Sequence, residues 1–441
     1  MEVAVAVTKN KKQSHALKAL TLATLALPGV NPNALAAEAE YFDLNTMFSR
    51  YSESGNRMKV EVYQATAAIP INDKFSLKVN GVKDIISGAS PIYYYPKSGQ
   101  LKMQKSQASI HDVRDSQELA STYTYKGGSL GLGVGRSSEN DYDSNYFNID
   151  SRTEFNSKRT VLATGYGFSS DQVWAVDHCD TSRDNNPFQH NTHDYHCILP
   201  NTGKNWPAPF YTQDGMYKRP GVGGDKSTHQ GLLGVTQILN KDALIQSNFT
   251  YSRSDGYLSD PYKEAFAPGV PGTPVIAPYS LSGFFHDSRP DSRDQFAFLT
   301  RYVQHFSKLN SAAMHVDYRY YADTWGVDAH TFEFAWVQPI YAGWEITPRG
   351  RYYTQGSADF YAPYFTAARA DGHYSSDYRL AQFGAFGGGV QINKQLFDHA
   401  TLGFGIDFYE RKENYSLSTG KGTGLDNYSF SLFSANVKIR F

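Results

Sequence analysis

The chain lacks the features that mark several common classes of protein. Among its 441 residues there are only two cysteines, and the net charge of −1 predicts no affinity for nucleic acid. No apolar run after residue 36 approaches the about 18 residues of a membrane-spanning helix, and mean hydropathy is −0.50. No nucleophile elbow or other framed catalytic motif occurs, so we expect no enzymatic activity. No composition shift marks an internal domain boundary, which favours a single domain.

The amino-terminal segment has the pattern of an export signal. Lys9, Lys11 and Lys12 precede a short apolar core at 20–27, and Ala-Leu-Ala at 34–36 gives a small-x-small cleavage pattern. We therefore expect a signal peptide over residues 1–36. The mature protein is then one domain over 37–441.

The last nine residues alternate strictly between apolar and polar side chains. Phe433, Val437, Ile439 and Phe441 share one face, and Lys438 lies on the other. A period of two is typical of a strand with one apolar face. In Gram-negative bacteria this ending resembles the closing strand of an outer-membrane β-barrel, whose terminal Phe is read by the barrel-assembly machinery. The resemblance implies an assembly signal at Phe433, Val437, Ile439 and Phe441.

The same alternation recurs along the chain. Apolar or aromatic residues share one face at 75–79, 130–134, 160–168, 245–251, 296–302, 316–320, 332–336 and 402–408. Each run has roughly the ten residues that cross a bilayer at a tilt. The 32 Tyr and 27 Phe suit interfacial girdles, and a barrel hides its apolar face in alternate residues. We predict an all-β fold, a transmembrane antiparallel up-and-down barrel of about sixteen strands.

The connections between these runs are of two kinds. Short ones, with Asn, Asp or Ser followed or accompanied by Lys, occur at 71–74, 155–158, 239–242, 306–308 and 392–394. Long ones, rich in Gly, Pro, Tyr and Asp, occur at about 86–105, 169–227, 256–290 and 357–375. This asymmetry is typical of short periplasmic turns and long extracellular loops. We expect an outer-membrane location, with membrane lipid and lipopolysaccharide as surroundings and both termini in the periplasm.

Several stretches resemble one bacterial outer-membrane family of unknown function, DUF3570. They are Ile-Ile-Ser-Gly-Ala-Ser-Pro at 85–91, Gly-Tyr-Leu-Ser-Asp-Pro-Tyr at 256–262, Asp-Tyr-Arg-Tyr-Tyr-Ala-Asp-Thr-Trp at 317–325, Arg-Tyr-Tyr-Thr-Gln at 351–355 with Ala-Asp-Phe-Tyr at 358–361, and Ser-Asp-Tyr-Arg-Leu at 376–380. The resemblance covers about 41–441. It supports a barrel and implies no particular chemistry.

If the aromatic faces point to lipid, charged side chains on the opposite faces point into the lumen. The predicted lumen-lining residues are Arg301, Asp317, Arg319, Asp323, Glu333, Arg349, Arg351, Asp377 and Arg379, with Lys78 and Asp407 as additions. Charges of both signs wet a pore and orient polar solutes. The alternative is that paired Arg and Asp side chains fill a narrow barrel.

A row of glycines at 131, 133 and 135 faces the same way as these charges. It leaves room for an inward-folded loop, for which the segment 86–105 is the candidate. Packing of side chains at a tight barrel corner is the alternative.

The connection 169–227 concentrates metal-binding residue types. Cys179 and Cys197 are the only cysteines of a chain expected in an oxidising compartment, so a disulfide is the first expectation. The rival is a zinc or copper site formed with nearby histidines. Those histidines are His178, His190, His193 and His196. A second candidate, the acidic stretch 139–143, is either a Ca²⁺ ligand set or a solvated loop tip.

Three functions fit these features. The first is a porin-like channel for small polar solutes or ions, which the charged lumen favours. The second is a barrel that docks periplasmic or extracellular redox or metal-binding proteins, which the His and Cys residues favour. The third is a surface receptor or adhesin that uses the Tyr-rich loops.

Overall fold

The computed structural model describes residues 41–88, 91–98, 100–105, 110–177, 217–267, 284–418 and 427–441. These residues form twenty strands: β1 (Asp43–Glu53), β2 (Met58–Pro70), β3 (Phe75–Gly88), β4 (Pro91–Lys97), β5 (Gln100–Lys105), β6 (Ile110–Tyr125), β7 (Gly128–Ser138), β8 (Tyr142–Phe155), β9 (Thr160–Asp177), β10 (Tyr217–Asn240), β11 (Ala243–Gly256), β12 (Glu264–Phe266), β13 (Phe284–His286), β14 (Ser292–Phe306), β15 (Ala312–Asp323), β16 (Asp328–Pro339), β17 (Trp344–Gln355), β18 (Phe383–Phe397), β19 (Ala400–Lys412) and β20 (Tyr428–Arg440). Short 3-10 turns lie at Ser54–Asn56, Tyr341–Gly343, Tyr378–Leu380 and Glu413–Tyr415. Within these ranges no helix is long and apolar enough to cross a membrane.

Sixteen of the strands close into one antiparallel barrel. Each strand pairs with its neighbours along the chain, in the order β1-β2-β3-β6-β7-β8-β9-β10-β11-β14-β15-β16-β17-β18-β19-β20. The barrel closes where β20 pairs with β1, with Arg440 opposite Asp43. The other four strands form two hairpins, β4–β5 and β12–β13, within connections. The predicted up-and-down barrel and its strand number are confirmed.

The two faces of the wall follow the alternation in the sequence. On β7, Leu130, Leu132 and Val134 are each about half exposed on the convex outer face, whereas the residues between them are buried. On β15, Val316 is 41% exposed on the outer face and the adjacent Asp317 is 6% exposed on the inner face. Side chains converge on the concave side of a closed sheet, so the buried polar face is the interior.

The terminal strand has the predicted faces. Phe433 and Val437 are exposed on the outer face, and Ile439 is partly exposed on the same face. Phe441 follows β20; its backbone N–H donates to the carbonyl of Phe42 at 2.9 Å, and its ring lies 5.7 Å from the Phe42 ring. The last residues therefore lie at the seam that closes the barrel.

The two ends of the barrel differ as the connections predicted. One end carries both termini and short turns, and the other carries the long connections 89–109, 178–216, 257–291, 356–382 and 413–427. Asn72 stabilises one short turn because its side chain accepts hydrogen bonds from the backbone of Lys74 and Phe75. Asn240 accepts from the backbone of Asp242 in another.

One predicted turn is wrong. Residues 392–394 lie inside β18, paired with β17 and β19, and the turn is at 398–399. Lys394 points to the outer rim, where its Nζ lies 5.0 Å from the ring centre of Trp344. In the sequence, a lysine that packs beside an exposed tryptophan near a strand end therefore had the same local pattern as the lysine of a turn.

Candidate functional site

A row of charges crosses four neighbouring strands of the inner face. Arg301 of β14 lies opposite Asp317 of β15, and Asp317 lies opposite Glu333 of β16. Glu333 in turn lies opposite Arg351 of β17. The Nε of Arg301 donates to Oδ1 of Asp317 at 2.8 Å, and the Nε of Arg351 lies 3.4 Å from Oε1 of Glu333. The strand register therefore places opposite charges side by side along the wall.

A third ion pair on this wall skips one strand. Arg349 of β17 donates from Nε to Oδ1 of Asp407 of β19 at 2.7 Å, although β18 lies between them. The intervening residue of β18 is Gly389, where an added Cβ would come within 2.1 Å of Oδ1 of Asp407. The absence of a side chain at Gly389 lets the pair form. We call Arg301, Asp317, Arg319, Glu333, Arg349, Arg351 and Asp407 the charged belt.

The glycine row faces the interior on another part of the wall. Its positions are filled by side chains of the adjacent β8: a Cβ at Gly131, Gly133 or Gly135 would collide with Asp150, Asn148 or Tyr146 respectively. The row therefore accommodates side chains of the wall itself. Packing, which was the alternative to an inserted loop, accounts for these glycines.

The hairpin β4–β5 instead reaches connections on the opposite side of the barrel. Tyr94, which is 3% exposed, packs in one apolar cluster with Trp325 and Phe360. The hairpin arises between β3 and β6, the third and fourth strands of the barrel order, whereas Trp325 follows β15, the eleventh of sixteen. β15 is eight positions from β3 in an order of sixteen, so the hairpin spans the mouth. The hairpin of the candidate segment 86–105 therefore lies against the far side of the barrel, and its role as a constriction stays a prediction.

Two other connections are joined to each other by hydrogen bonds and ion pairs. Asp287 of connection 257–291 accepts from the Nε of Arg289 at 2.6 Å and from the Ser375 hydroxyl of connection 356–382. Arg289 also donates to Asp377 at 2.8 Å, and Arg379 donates to both Asp377 and Asp260. Asp287 and Asp377 have no exposed side-chain surface. We call the hairpin β4–β5, residues 257–267 and 284–291, the turn 324–327 and connection 356–382 the cap.

Tyr378 links the cap to the wall. Its ring lies 5.0 Å from the guanidinium carbon of Arg411 on the inner face of β19, and 5.6 Å from Nζ of Lys263 in the cap. The guanidinium carbon of Arg57, at the turn between β1 and β2, lies 5.8 Å from the same ring. Cations over an aromatic face are attracted to it, so one ring holds three parts of the mouth together.

The charge state of the cap follows from its pairing. Burial alone would raise the pKa of Asp377, but the adjacent cations, Arg379 foremost, outweigh it and hold the pKa below its ordinary value. Burial lowers the pKa of Lys263, against the opposing effect of Asp377. Arg379 remains 55% exposed although it bonds two carboxylates, so this cation is presented to open space.

An acidic cluster lies beside the cap. One carboxylate oxygen from each of Asp112, Glu139 and Asp141 lies within 4.8 Å of the other two. Three such oxygens are suitable ligands for a divalent cation. Burial raises the pKa of Glu139 to about 7, although Arg114 opposes it. Burial also raises the pKa of Asp141 to about 6, against a hydrogen bond with Tyr262. The structure adds Asp112 of β6 to the predicted acidic stretch.

Two residues predicted to line the lumen have other roles. Asp323 ends β15; its Oδ1 accepts the backbone N–H groups of Trp325 and Val327, and its Oδ2 accepts from Arg293. Asp377 lies in a connection as the N-cap of a 3-10 turn. Both carboxylates are fully buried by these partners, so neither meets open space. The physical reason is that backbone N–H groups of turns and arginine side chains bind these carboxylates in place of water.

The predicted cysteine and histidine cluster falls on residues that the structure does not describe. Cys179, Cys197, His178, His190, His193 and His196 all lie in the segment 178–216. The disulfide and the zinc or copper site stay predictions. The structure adds residues that sequence reasoning missed, namely Tyr94, Asp260, Asp287, Arg289 and Tyr378. Their signal was weak, because their partners in other connections lie 88 or more residues away and leave no local pattern.

Comparisons with known proteins give one family and several solved structures of low similarity. The model of a family described as "Protein of unknown function (DUF3570)" matches residues 17–431. A search of curated protein sequences found no match. A bacterial polysaccharide outer membrane secretin is similar over 92% of this chain and 100% of its own, at 8% identity and a TM-score of 0.45. CdiB from Acinetobacter baumannii is similar over 91% of this chain and 60% of its own, at 8% identity and a TM-score of 0.46. The outer membrane protein opdK from Pseudomonas aeruginosa is similar over 91% of this chain and 98% of its own, at 7% identity and a TM-score of 0.39.

Proposed function

This chain belongs to the DUF3570 family, and we propose that it is a porin-like outer-membrane channel for small polar solutes or ions. The observation that carries the proposal is the inner face of the barrel, where ion pairs such as Arg301–Asp317 and Arg351–Glu333 remain partly open to the interior. A wall that is charged inside and apolar outside suits a hydrated passage through lipid.

The outer face supports a membrane location. Outward residues such as Leu132, Phe298 and Phe334 are about half exposed, a state that costs free energy in water and little in lipid. Aromatic side chains at the short-turn end, including Phe75, Phe155 and Trp344, suit the interface between lipid and water. We place this end in the periplasm and the cap on the outside, with lipopolysaccharide around its rim.

The cap makes this a narrowed channel in our proposal. A hairpin from one side that packs against connections of the far side leaves less of the mouth free for solutes. Partly exposed Arg379 then lies where a solute would pass. We expect small, discrete conductance instead of the large conductance of an open pore.

Planar-bilayer recording of the purified barrel tests the channel directly. We expect stepwise single-channel currents in KCl, and swelling of proteoliposomes in small polar solutes. A barrel that conducts neither in its native form nor after deletion of residues 92–100 would contradict the proposal. The deletion matters because it separates a barrel closed by its cap from one filled along its whole length.

The end of the chain has its own role in the proposal. The carboxy-terminal residue Phe441 lies at the closing seam beside Phe42, and we propose that the barrel-assembly machinery recognises it. Phe441→Asp is then expected to reduce the amount of assembled barrel in the membrane, without changing the conductance of the molecules that do assemble. A heat-modifiable shift in gel mobility measures the assembled fraction.

A further inference from the structure

The charged belt holds one more arginine than its carboxylates can pair. Its four arginines are Arg301, Arg319, Arg349 and Arg351, and its three carboxylates are Asp317, Glu333 and Asp407. Each carboxylate is matched to one arginine, in the pairs 301–317, 349–407 and 351–333. Among the described residues, no carboxylate lies within ion-pair distance of Arg319. Arg319 is partly exposed on the inner face and keeps all its donors for another acceptor.

A second arginine close to Arg319 is only loosely held. Arg319 lies opposite Thr331 of β16, and Thr331 lies opposite Tyr353 of β17, two residues from Arg351 on the same face. The nearest carboxylate oxygen of Glu333 is 3.4 Å from the Nε of Arg351, and that Nε makes no hydrogen bond with a described residue. Two guanidinium groups therefore flank β16 with a single carboxylate between them.

The wall beside Arg351 leaves room for a small side chain. The residue opposite it on β18 is Gly387, where an added Cβ would meet Arg351 and Tyr409 only at ordinary contact distance, 3.8 Å. The ring of Tyr353 lies 5.6 Å from the guanidinium carbon of Arg351. Tyr353 and Tyr409 thus border the space into which Arg351 projects. Aromatic faces accept the apolar body of a solute whose charged end binds elsewhere.

Resting on the proposed channel function, we infer that Arg319 and Arg351 form an anion-binding subsite that selects small organic carboxylates. A guanidinium presents two parallel N–H donors that match the two oxygens of a carboxylate. Glu333 orients Arg351 without satisfying it, and Tyr353 and Tyr409 bind the apolar part of the solute. Arg319 lies two residues before Tyr321 on β15, and Tyr321 packs against the cap. Solutes therefore reach the subsite just after they enter the channel.

Reversal potentials in a KCl gradient test the subsite. We expect the native barrel to prefer chloride, and Arg319→Gln to lower the chloride-to-potassium permeability ratio about fivefold, the factor for roughly 1 kcal/mol of lost attraction. Arg319→Lys keeps the charge and should keep most of the preference. Arg136→Gln removes a 65% exposed arginine from the outer face and is the matched control.

Solutes of different chemistry test the ligand class. We expect benzoate to reduce the chloride current at lower concentration than acetate or inorganic phosphate, and Arg319→Gln to abolish the difference. Glu333→Gln should strengthen the benzoate effect because it frees Arg351. Equal effects of phosphate and benzoate would overturn the choice of carboxylates and leave a general anion site.

The outcomes separate the subsite from the channel. Conductance without anion preference, unchanged by Arg319→Gln, would overturn the subsite and leave the channel intact. No conductance from any variant would overturn the channel, and benzoate binding to the detergent-solubilised barrel by calorimetry would then decide the subsite. If Arg319→Gln does not assemble, as judged by heat-modifiable mobility, the comparison of Arg319→Lys with Glu333→Gln replaces it.

Discussion

The cap and the charged belt both contain arginine–carboxylate pairs, but the pairs have different effects in the two regions. In the cap, each partner is shared: Asp377 accepts from Arg289 and Arg379, and Arg289 bonds Asp287 as well. In the belt, Arg301 and Asp317 form a two-member pair on neighbouring strands that are already joined by backbone hydrogen bonds. The cap therefore depends on its ion pairs for its shape, whereas the belt wall would keep its shape without them.

Burial explains why the difference matters. The carboxylates of Asp287 and Asp377 have no exposed surface, so an unpaired charge left there has no water to solvate it. Arg301 and Glu333 are each about one quarter exposed, so water replaces a lost partner at lower cost. Changes in the cap should alter how wide the mouth is, and changes in the belt should alter which ions pass.

The largest effect is expected from the hairpin. Tyr94→Ala removes a buried ring from the apolar cluster that contains Trp325 and Phe360, at a cost of about 3–4 kcal/mol. The hairpin should then detach from the connections of the far side, and the single-channel conductance should rise. Lys102→Ala, at an exposed position of the same hairpin, is the control. Unchanged conductance after both Tyr94→Ala and deletion of 92–100 would show that the hairpin is no constriction.

Loss of the central carboxylate of the cap should have the next largest effect. Asp377→Asn leaves Arg289 with Asp287 and Arg379 with Asp260, so we expect a loss of about 2–3 kcal/mol, less than for an isolated buried pair. Hydrogen exchange of residues 356–382 should accelerate while that of the barrel strands stays constant. Asp371→Asn breaks an exposed pair with Arg369 in the same connection and should change nothing measurable. Equal exchange in both variants would contradict the role given to Asp377.

The barrel wall could be predicted from the sequence because its signal is local. Alternation marks the apolar faces of single strands, so runs such as 130–134 and 402–408 fall in β7 and β19 with the expected faces outward. Strand ends were predicted less well. β9 continues to Asp177 and β10 begins at Tyr217, so both strands extend well into the predicted loop 169–227. In these extensions the alternation of apolar and polar side chains disappears, as in the consecutive apolar residues Val-Trp-Ala-Val at 173–176.

The cap could not be predicted because its contacts join distant segments. Asp377 and Arg379 carry the same acidic and basic pattern as the belt pairs, and a period of two does not distinguish a strand from a folded connection. The partner of Arg379 in connection 257–291 is Asp260, more than a hundred positions away. The positions of the belt residues could be predicted for the opposite reason: once the strands are aligned, register alone brings Arg301 to Asp317.

A belt carboxylate gives a smaller effect of a different kind. Asp317→Asn should cost about 1–2 kcal/mol, because Arg301 is still reached by water, and should leave the conductance level unchanged. The freed guanidinium should shift the reversal potential toward chloride. A rise in conductance without a shift in selectivity would contradict the distinction between cap and belt, and reversal potentials measured beside those of Asp377→Asn make the comparison.

The acidic cluster provides the smallest effect, because the cation paired with it, Arg114, lies 4.0 Å from Glu139, farther than the arginines of the cap lie from their carboxylates. The pKa values of Glu139 and Asp141 in the fold, about 7 and about 6, lie above the ordinary values of 4.5 and 3.8. A raised pKa means that the folded state holds its protons more tightly, so the stabilisation is complete below about pH 4 and is lost as the pH rises through 6 to 7. Hydrogen exchange at 139–143 should therefore quicken between pH 5 and pH 8. The double variant Glu139→Gln, Asp141→Asn should remove that dependence, and exchange that stays pH-dependent after correction for intrinsic rates would show that other groups control this connection.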